Sequence, residues 1–384
     1  MNVYYRDTLH IHSFNHSFIH SFIHSGDMNS SDTTLDVFVP GRLCLFGEHT
    51  DWAGAMRNTN KDVAVGRTIV AGINYGLYAR VSKIEDERVL RIRSTTHDGI
   101  VQEKEFVLDE DVLGEAAQAG GYWSYAAGVG YIFATEFKVG GIRIDNYKTT
   151  LPLKKGLSSS AAFCVLVARA FNRCYDLHMT ERGEMQAAFE GERLTPSQCG
   201  RMDQAVAFGT VPVVMRYDGD LLKVEPARLG GTFYLVLVDL MASKDTVEIL
   251  SKLQHAYPYP QTEDDKNLHR LLGPINLDIT DKAIEYLGAG DAERLGQLMV
   301  SAQKSFDAYA GPLCPSQLGE EGSPVLHRIL EYDGVRDLIY GGKGVGSQGD
   351  GTAQLLCKSG EAQEKVCELL HAEFGVSCLK VTLS

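Results

Sequence analysis

Between Leu151 and Leu166 the chain reads LPLKKGLSSSAAFCVL, and this stretch narrows the possible folds more than any other. One glycine and three serines lead into AAFCVLVARAF, whose small and apolar residues suit a buried helix beginning near Ser159. The serines stand where a helix start needs caps. A helix N-terminus offers unpaired N–H groups and the positive end of the helix dipole, and Gly156 lets the backbone approach an anion closely. The stretch therefore reads as a phosphate cradle with a triphosphate as its natural guest. It also reads as an ordinary capped helix after a glycine turn, so the choice falls to the rest of the chain.

At 384 residues there is room for two domains, each with its own core. A net charge of −13 argues against nucleic-acid or anionic-membrane partners, which need lysine and arginine spread over a broad face. A small anion held by local amides is still allowed. The eight cysteines form no CxxC pair and mostly lie in apolar runs, the pattern of reduced core residues in a cytoplasmic protein. No apolar run approaches a membrane span, and FYLVLVDLMA reads as a buried strand.

Residues 1–34 read as a leader apart from the fold, with HIHSFNHSFIHSFIHS repeating a His-Ser-Phe pattern. His12, His16, His20 and His24 would align on a helix and could bind a transition metal; the alternative is a disordered or over-extended start with Met28 as the working initiator. From Leu35, DVFVP predicts a strand, Pro40-Gly41 a turn, and LCLF a second strand ending in Gly47, Glu48, His49 and Asp51. Polar residues after an apolar strand are a common place for ligand-binding groups, and equally a polar turn with a capping aspartate. Strands follow over TIVAGINYGLYARVSK, RVLRIRSTT, EKEFVLDE and IRIDNYKTTLPL, with a helix from Trp123 to Glu136. After the cradle helix a second one runs from Thr180, its cap, to Arg193. Pro196 and Gly200 break it, and Asp203 opens a new element among small and apolar neighbours, where it needs a cap role, a partner or a ligand.

A polar, turn-rich segment between Met215 and Gly231 suggests a domain boundary, giving an N-terminal domain over 35–217 and a C-terminal one over 218–384. The second would hold the strand TFYLVLVDLMA, helices through Tyr309, the glycine loop YGGKGVGSQGDG, the strand TAQLLCK, the helix GEAQEKVCELLHAEF and a last strand VSCLKVTL. That order suggests a small antiparallel α+β domain.

PGRLCLFGEHTDWAG, LPLKKGLSSSAA and GGKGVGSQGDG stand in one order, and together they resemble the motifs of the GHMP small-molecule kinases, the group containing galactokinase, homoserine kinase, mevalonate kinase and phosphomevalonate kinase. GEHTD and CGRMDQ are similar to galactokinase, as is LGQLMVSAQKSFDAYAGPLCPSQL; FEGER is more like mevalonate kinase. The chain departs from the pattern at Lys154 and Lys155, which replace small residues, at Ser347, where a second glycine is common, and after DLMASKDT, where the Tyr-Asn-x-Arg-Arg of galactokinases is missing. The resemblance implies an α+β, two-domain fold, with an N-terminal ribosomal-protein-S5-like domain and a C-terminal ferredoxin-like domain.

It also implies a chemistry. Asp203 would accept the proton of a substrate hydroxyl attacking the γ-phosphate, with Arg42 beside it to keep it ionised and to counter phosphoryl charge. Lys155, Gly156, Leu157, Ser158, Ser159, Ser160 and Ala161 would hold ATP; Ser160 and Glu192 would hold Mg²⁺, with Glu190 a close competitor. Glu48, His49 and Asp51 match sugar-contacting positions, and Gly344, Gly346 and Ser347 would approach substrate and γ-phosphate from the second domain. Trp52, Lys244, Asp245 and Thr246 are further pocket candidates, although Lys-Asp-Thr after a strand also describes a helix start. Two carboxylates suit the hydroxyls of a neutral monosaccharide and would repel an isoprenoid acid. The expectation is a cytoplasmic, ATP- and Mg²⁺-dependent sugar kinase acting on an anomeric hydroxyl. A mevalonate-type kinase and a non-catalytic sensor of sugar and ATP are its alternatives.

Overall fold

The computed structural model describes residues 33–151, 156–197 and 199–384. The His-rich leader, Lys154 and Lys155 lie outside the described residues. Residues 33–384 form one compact unit built on two sheets.

The first sheet holds β1 (Leu35–Phe46), β2 (Gly66–Ile84), β3 (Val89–Thr95), β4 (Val101–Val107), β5 (Gly141–Thr149), β6 (Val213–Asp218) and β7 (Leu221–Pro226). Its order is β4-β3-β5-β2-β6-β7, with β1 along β2. All pairs are antiparallel except β3 with β5. β1 does not turn at Pro40-Gly41 as the sequence suggests. It runs on as one strand, and the register with β2 shifts between Pro40 and Arg42. The cause is a close approach: a side chain at Gly41 would strike Leu151, and the next amide, that of Arg42, donates to the Leu157 carbonyl at 3.0 Å. The bulge therefore docks β1 against the stretch that leads into the cradle helix.

The helices of this half are α1 (Thr50–Ala55), α2 (Glu110–Gln118), α3 (Ser124–Glu136), α4 (Ser159–Tyr175) and α5 (Glu181–Arg193). α2 was not anticipated; Asp109 caps it by accepting from Asp111 and Val112 amides, ending the strand reading of EKEFVLDE early. Thr180 caps α5 through the Gly183 amide, as its sequence suggests. Small residues let α3, α4 and α5 pack closely, and Val165, Leu166 and Phe171 of α4 join Leu43, Leu45, Ile69 and Ala79 of the sheet in the main core. The polar stretch after Met215 is the β6–β7 hairpin of this first sheet.

The second sheet holds β8 (Phe233–Asp239), β9 (Ile339–Gly344), β10 (Thr352–Cys357) and β11 (Ser377–Leu383), ordered β11-β8-β10-β9 and antiparallel throughout. Between β8 and β9 run α6 (Thr246–His255), α7 (Glu263–Arg270), α8 (Asn276–Ala289), α9 (Ala292–Ala310), α10 (Gly319–Gly322) and α11 (Pro324–Leu330); α12 (Gly360–Phe374) joins β10 to β11. This is the split βαβ connectivity of the expected ferredoxin-like half. Its first strand after the helices, β9, takes up the beginning of the segment that the sequence suggests is a glycine loop. One face of the sheet packs on α11 and α12 through Val236, Val238, Ala353 and Leu355. The other face, through Leu235, Leu237, Leu356 and Val381, belongs to the main core.

Candidate functional site

α4 begins at Ser159 as expected, but its serines do not cap it. Ser158 occupies the N-cap position in the left-handed region, φ 57° and ψ 50°, and makes no side-chain cap bond. Its Oγ donates instead to Asp203 Oδ1 at 2.8 Å, which leaves the amides of the first turn without side-chain acceptors. Gly156 has φ +70°, and a Cβ there would meet nothing within 4 Å, whereas one at Gly346 would meet only the Gly156 carbonyl, at 3.9 Å. Among the described residues, the cradle and the glycine loop of the second half thus approach each other backbone to backbone, at Gly156 and Gly346. Leu157 and Ala161 are buried anchors of the turn.

Asp203 opens the 3₁₀ turn Asp203–Phe208 and forms an ion pair with Arg42 of β1. The guanidinium is 6% exposed and the carboxylate 26%, so the pair lies at the floor of an accessible site. Arg42 Nε and Nη1 are buried without a hydrogen-bond partner among the described residues. A buried cation with two unspent donors fits a phosphoryl group. Asp51, in the first turn of α1, is a near neighbour. Burial, reinforced by the Asp203 charge, pushes its carboxyl up to about 6, against the pull of the Trp52 and Met202 amides and Arg42.

Glu192 projects from α5 toward α4 rather than solvent. Gln204 Nε2 donates to its Oε2 at 2.8 Å and Ser197 Oγ to its Oε1 at 3.4 Å, and the Ser160 hydroxyl is near enough to favour its charged form. Burial and the nearby Asp203 raise its carboxyl to about 7. Ser160 and Glu192 are thus together, whereas Glu190 accepts from Gln186 within its own helix. Among the described residues no cluster of three His, Cys, Asp or Glu side chains could hold a metal. One hydroxyl and one buried carboxylate, both hard oxygen donors with a surplus of negative charge nearby, fit Mg²⁺ that takes its other ligands from phosphate and water.

His49 is buried, with φ 68°. Trp52 Nε1 donates to its Nδ1 at 3.2 Å, so the ring proton belongs on Nε2, which is buried without a hydrogen-bond partner among the described residues. Burial, helped by the charges of Lys244 and Lys343, lowers it to about 4; the ring is neutral at physiological pH. Its face stacks on Phe306, with centroids 5.7 Å apart. Glu48 is not free: it pairs with Lys343 of β9, whose Nζ also donates to the Gly344 carbonyl at 2.8 Å. Gly344 N–H donates to Gln303 Oε1 at 2.7 Å, and Ser347 Oγ lies 3.3 Å from Thr246 Oγ1. Lys244 Nζ donates to the Gln348 carbonyl at 3.1 Å, and burial together with Arg42 lowers its pKa to about 8. Asp245 caps α6 through the Glu248 amide, the helix-start role the sequence allowed.

Left-handed backbone is concentrated here. His49, Ser158 and Gln348 are three of the seven non-glycine residues with positive φ among the described residues, and each borders this site. Such conformations cost ~1–2 kcal/mol each and persist where surrounding contacts impose them. Sequence reasoning missed Lys343, Gln204 and Gln303. A lysine among glycines was the only signal for the first; the two glutamines carry none, because their roles depend on helices that meet only in three dimensions.

An uncapped helix N-terminus, an arginine–aspartate pair and a serine hydroxyl beside a buried carboxylate have the chemistry to bind a polyphosphate and to hold an acceptor hydroxyl against it. The comparisons with known proteins agree. The family model "GHMP kinases N terminal domain" matches residues 124–210. The galactokinase of Thermotoga maritima is 25% identical over 378 residues, covering 90% of this chain and 96% of that protein. The galactokinase of Thermotoga petrophila is 26% identical, covering 89% and 95%. In fold, the chain is similar to the Lactococcus lactis galactokinase solved with galactose (TM-score 0.66, 18% identity, covering 91% of this chain and 94% of that one). It is equally similar to the mevalonate kinase of Methanococcus jannaschii (TM-score 0.67, 16% identity, 93% and 100%).

Proposed function

We infer that this chain is a kinase of the GHMP type, and that it transfers the γ-phosphoryl group of ATP to a hydroxyl of a monosaccharide, the anomeric hydroxyl being the proposed acceptor. The observation that carries the reading is the meeting of Asp203, Arg42 and Ser158 at the open N-terminus of α4. In the proposed reaction the acceptor oxygen forms a bond to the γ-phosphorus while the bond from that phosphorus to the bridging oxygen breaks, and ADP leaves. Asp203 orients the acceptor hydroxyl and takes its proton, which then passes to water. Arg42 balances the carboxylate and offers Nε and Nη1 to the phosphoryl oxygens. The first-turn amides of α4 and the bare backbone at Gly156 and Gly346 receive the remaining phosphates.

Ser160 and Glu192 are the residues that would hold Mg²⁺, which when bound offsets the charge of the phosphate oxygens. Asp51 and His49 are the proposed sugar contacts beside Asp203, Asp51 as acceptor and His49 through Nε2. A two-domain organisation and a cytoplasmic location belong to the same reading, with the boundary moved from 217/218, which would cut β6, to the far side of the β6–β7 hairpin; among the described residues no helix is long and apolar enough to cross a membrane.

The decisive experiment is ADP release with Mg-ATP across neutral sugars, sugar acids, mevalonate and homoserine, repeated with Asp203→Asn. One preferred neutral sugar and a loss of about 10²–10⁴-fold in kcat for the variant, with ATP binding retained, are expected. Undiminished turnover by Asp203→Asn would sink the assignment, and ATP binding without turnover of any acceptor would favour a sensor.

A further inference from the structure

One buried ion pair ties the two sheets together beside the candidate site. Lys343 comes from β9 of the second sheet, is 3% exposed, and meets Glu48 from the loop after β1 of the first sheet. Beside this pair is a cavity of about 40 Å³, walled by Leu272, Ile279 and Phe306 and edged by Glu48, Lys343 and Gln348. That volume exceeds what one water needs. Gln348 Oε1 is buried there with no partner among the described residues, although its Nε2 donates to the Gly344 carbonyl at 3.3 Å. An unpaired acceptor in a buried polar nook asks for a donor.

We propose that Lys343 is a specificity-determining residue, and that its pairing with Glu48 makes this end of the site select a neutral sugar hydroxyl over a carboxylate. The proposal rests on the kinase reading and deepens it.

The charges decide. Glu48 and Lys343 cancel, so the nook is net neutral while offering acceptors on Glu48 and Gln348 and a donor on Lys343. A hydroxyl both donates and accepts, and it can join the pair without leaving either ion uncompensated. A carboxylate would compete with Glu48 for the one cation and leave two anions facing each other in a buried setting. The apolar wall suits the carbon that carries the hydroxyl. Asp51, three residues beyond Glu48 in the first turn of α1 and influenced by Asp203, links this nook to the reacting pair.

The test compares kcat/KM for a neutral hexose with that for the corresponding uronic acid, in wild type and in Glu48→Gln. Wild type should prefer the hexose by at least about a hundredfold, the cost of a charge left uncompensated. Glu48→Gln leaves Lys343 without its counter-ion, and the uronate-to-hexose ratio should rise by about tenfold or more. Should that variant fail to fold, Lys343→Met with a series of deoxy-hexoses gives the same answer. In wild type one deoxy position should cost about tenfold or more, and in Lys343→Met that penalty should vanish. A ratio unchanged in folded Glu48→Gln, or a deoxy penalty that persists in Lys343→Met, overturns the role of Lys343 while leaving the kinase reading intact. If wild type turns over no sugar at all, the sugar-kinase reading on which the proposal rests fails.

Discussion

Arg42 shows how much a single side chain depends on where its strand bends. The bulge after Pro40 brings its amide to Leu157 and its guanidinium to Asp203, and two of its nitrogens stay free for a ligand. Arg42→Met should therefore lower kcat by about 10²–10³-fold, the usual effect of losing a positioned charge donor. Steady-state kinetics at saturating sugar would check this, with thermal melting to establish that the variant folds. Asp51 makes a prediction of the opposite kind, about stability. Its carboxyl is raised to about 6 in the fold from an ordinary value of 3.8, so between those pH values the folded protein binds a proton that the unfolded chain does not. Stability from this group must then fall as pH rises from about 4 to about 6, by a term on the order of 1–3 kcal/mol. Asp51→Asn should melt higher than wild type at pH 7.5, should lose that advantage near pH 4, and should be poorly active. Melting curves at the two pH values are the measurement; no stability gain at pH 7.5 would contradict the burial argument.

Among elements, β9 is held at its end by a relay of side chains. Gly344 N–H donates to Gln303, Gln303 Nε2 donates to Asp307 Oδ1 at 2.9 Å, and His327 Nε2 meets Asp307 Oδ2 at 3.1 Å. α9 supplies the first two helpers and α11 the histidine. The bond to Asp307 raises His327 to about 9, so its stabilisation is complete below its ordinary value of 6.5 and disappears as pH climbs through about 9. Discounted for partial solvent screening, this is worth about 1–2 kcal/mol. Wild type should lose melting temperature between pH 7 and pH 10 by more than Asp307→Asn does. Because the relay ends on Gly344, the wild-type KM for the acceptor should rise over the same interval. Equal pH sensitivity in both proteins would dissociate the relay from the loop.

Across the whole molecule, the two sheets share one hydrophobic core and are tied by polar bonds that cross between them. Gln354 Nε2 of β10 donates to the Cys44 carbonyl of β1 at 2.9 Å, and Arg67 of β2 pairs with Asp281 of α8. Residues 33–384 should unfold in one cooperative step, with fluorescence and circular dichroism transitions coinciding, and Mg-ATP at about 100 times its Kd should add roughly 2.7 kcal/mol. Every candidate site residue that is described lies in this unit, so a chain starting at Met28 should keep kcat within about twofold of the full-length protein. A biphasic melt would contradict the shared core, and a large loss on truncation would give the leader a role in the site.

Local chemistry made much of this readable from the sequence. Alternation and helical spacing marked most strands and helices, Thr180 and the residues before α4 marked helix starts, and three motifs in order pointed to a phosphoryl-transfer site with Asp203 and Arg42 at its centre. These signals are short-range, because periodicity and capping act within a few residues. Tertiary structure decided what long-range contact alone can determine. The Gly41 bulge arises from the pressure of Leu151, Ser158 abandons its cap for Asp203, and Glu192 rather than Glu190 meets Ser160 because α5 turns that face to α4. Glu48, which matches a sugar-contacting position, is paired with a lysine 295 residues away in sequence. A charge's partner is set by which elements pack together, and no local pattern in the chain records that.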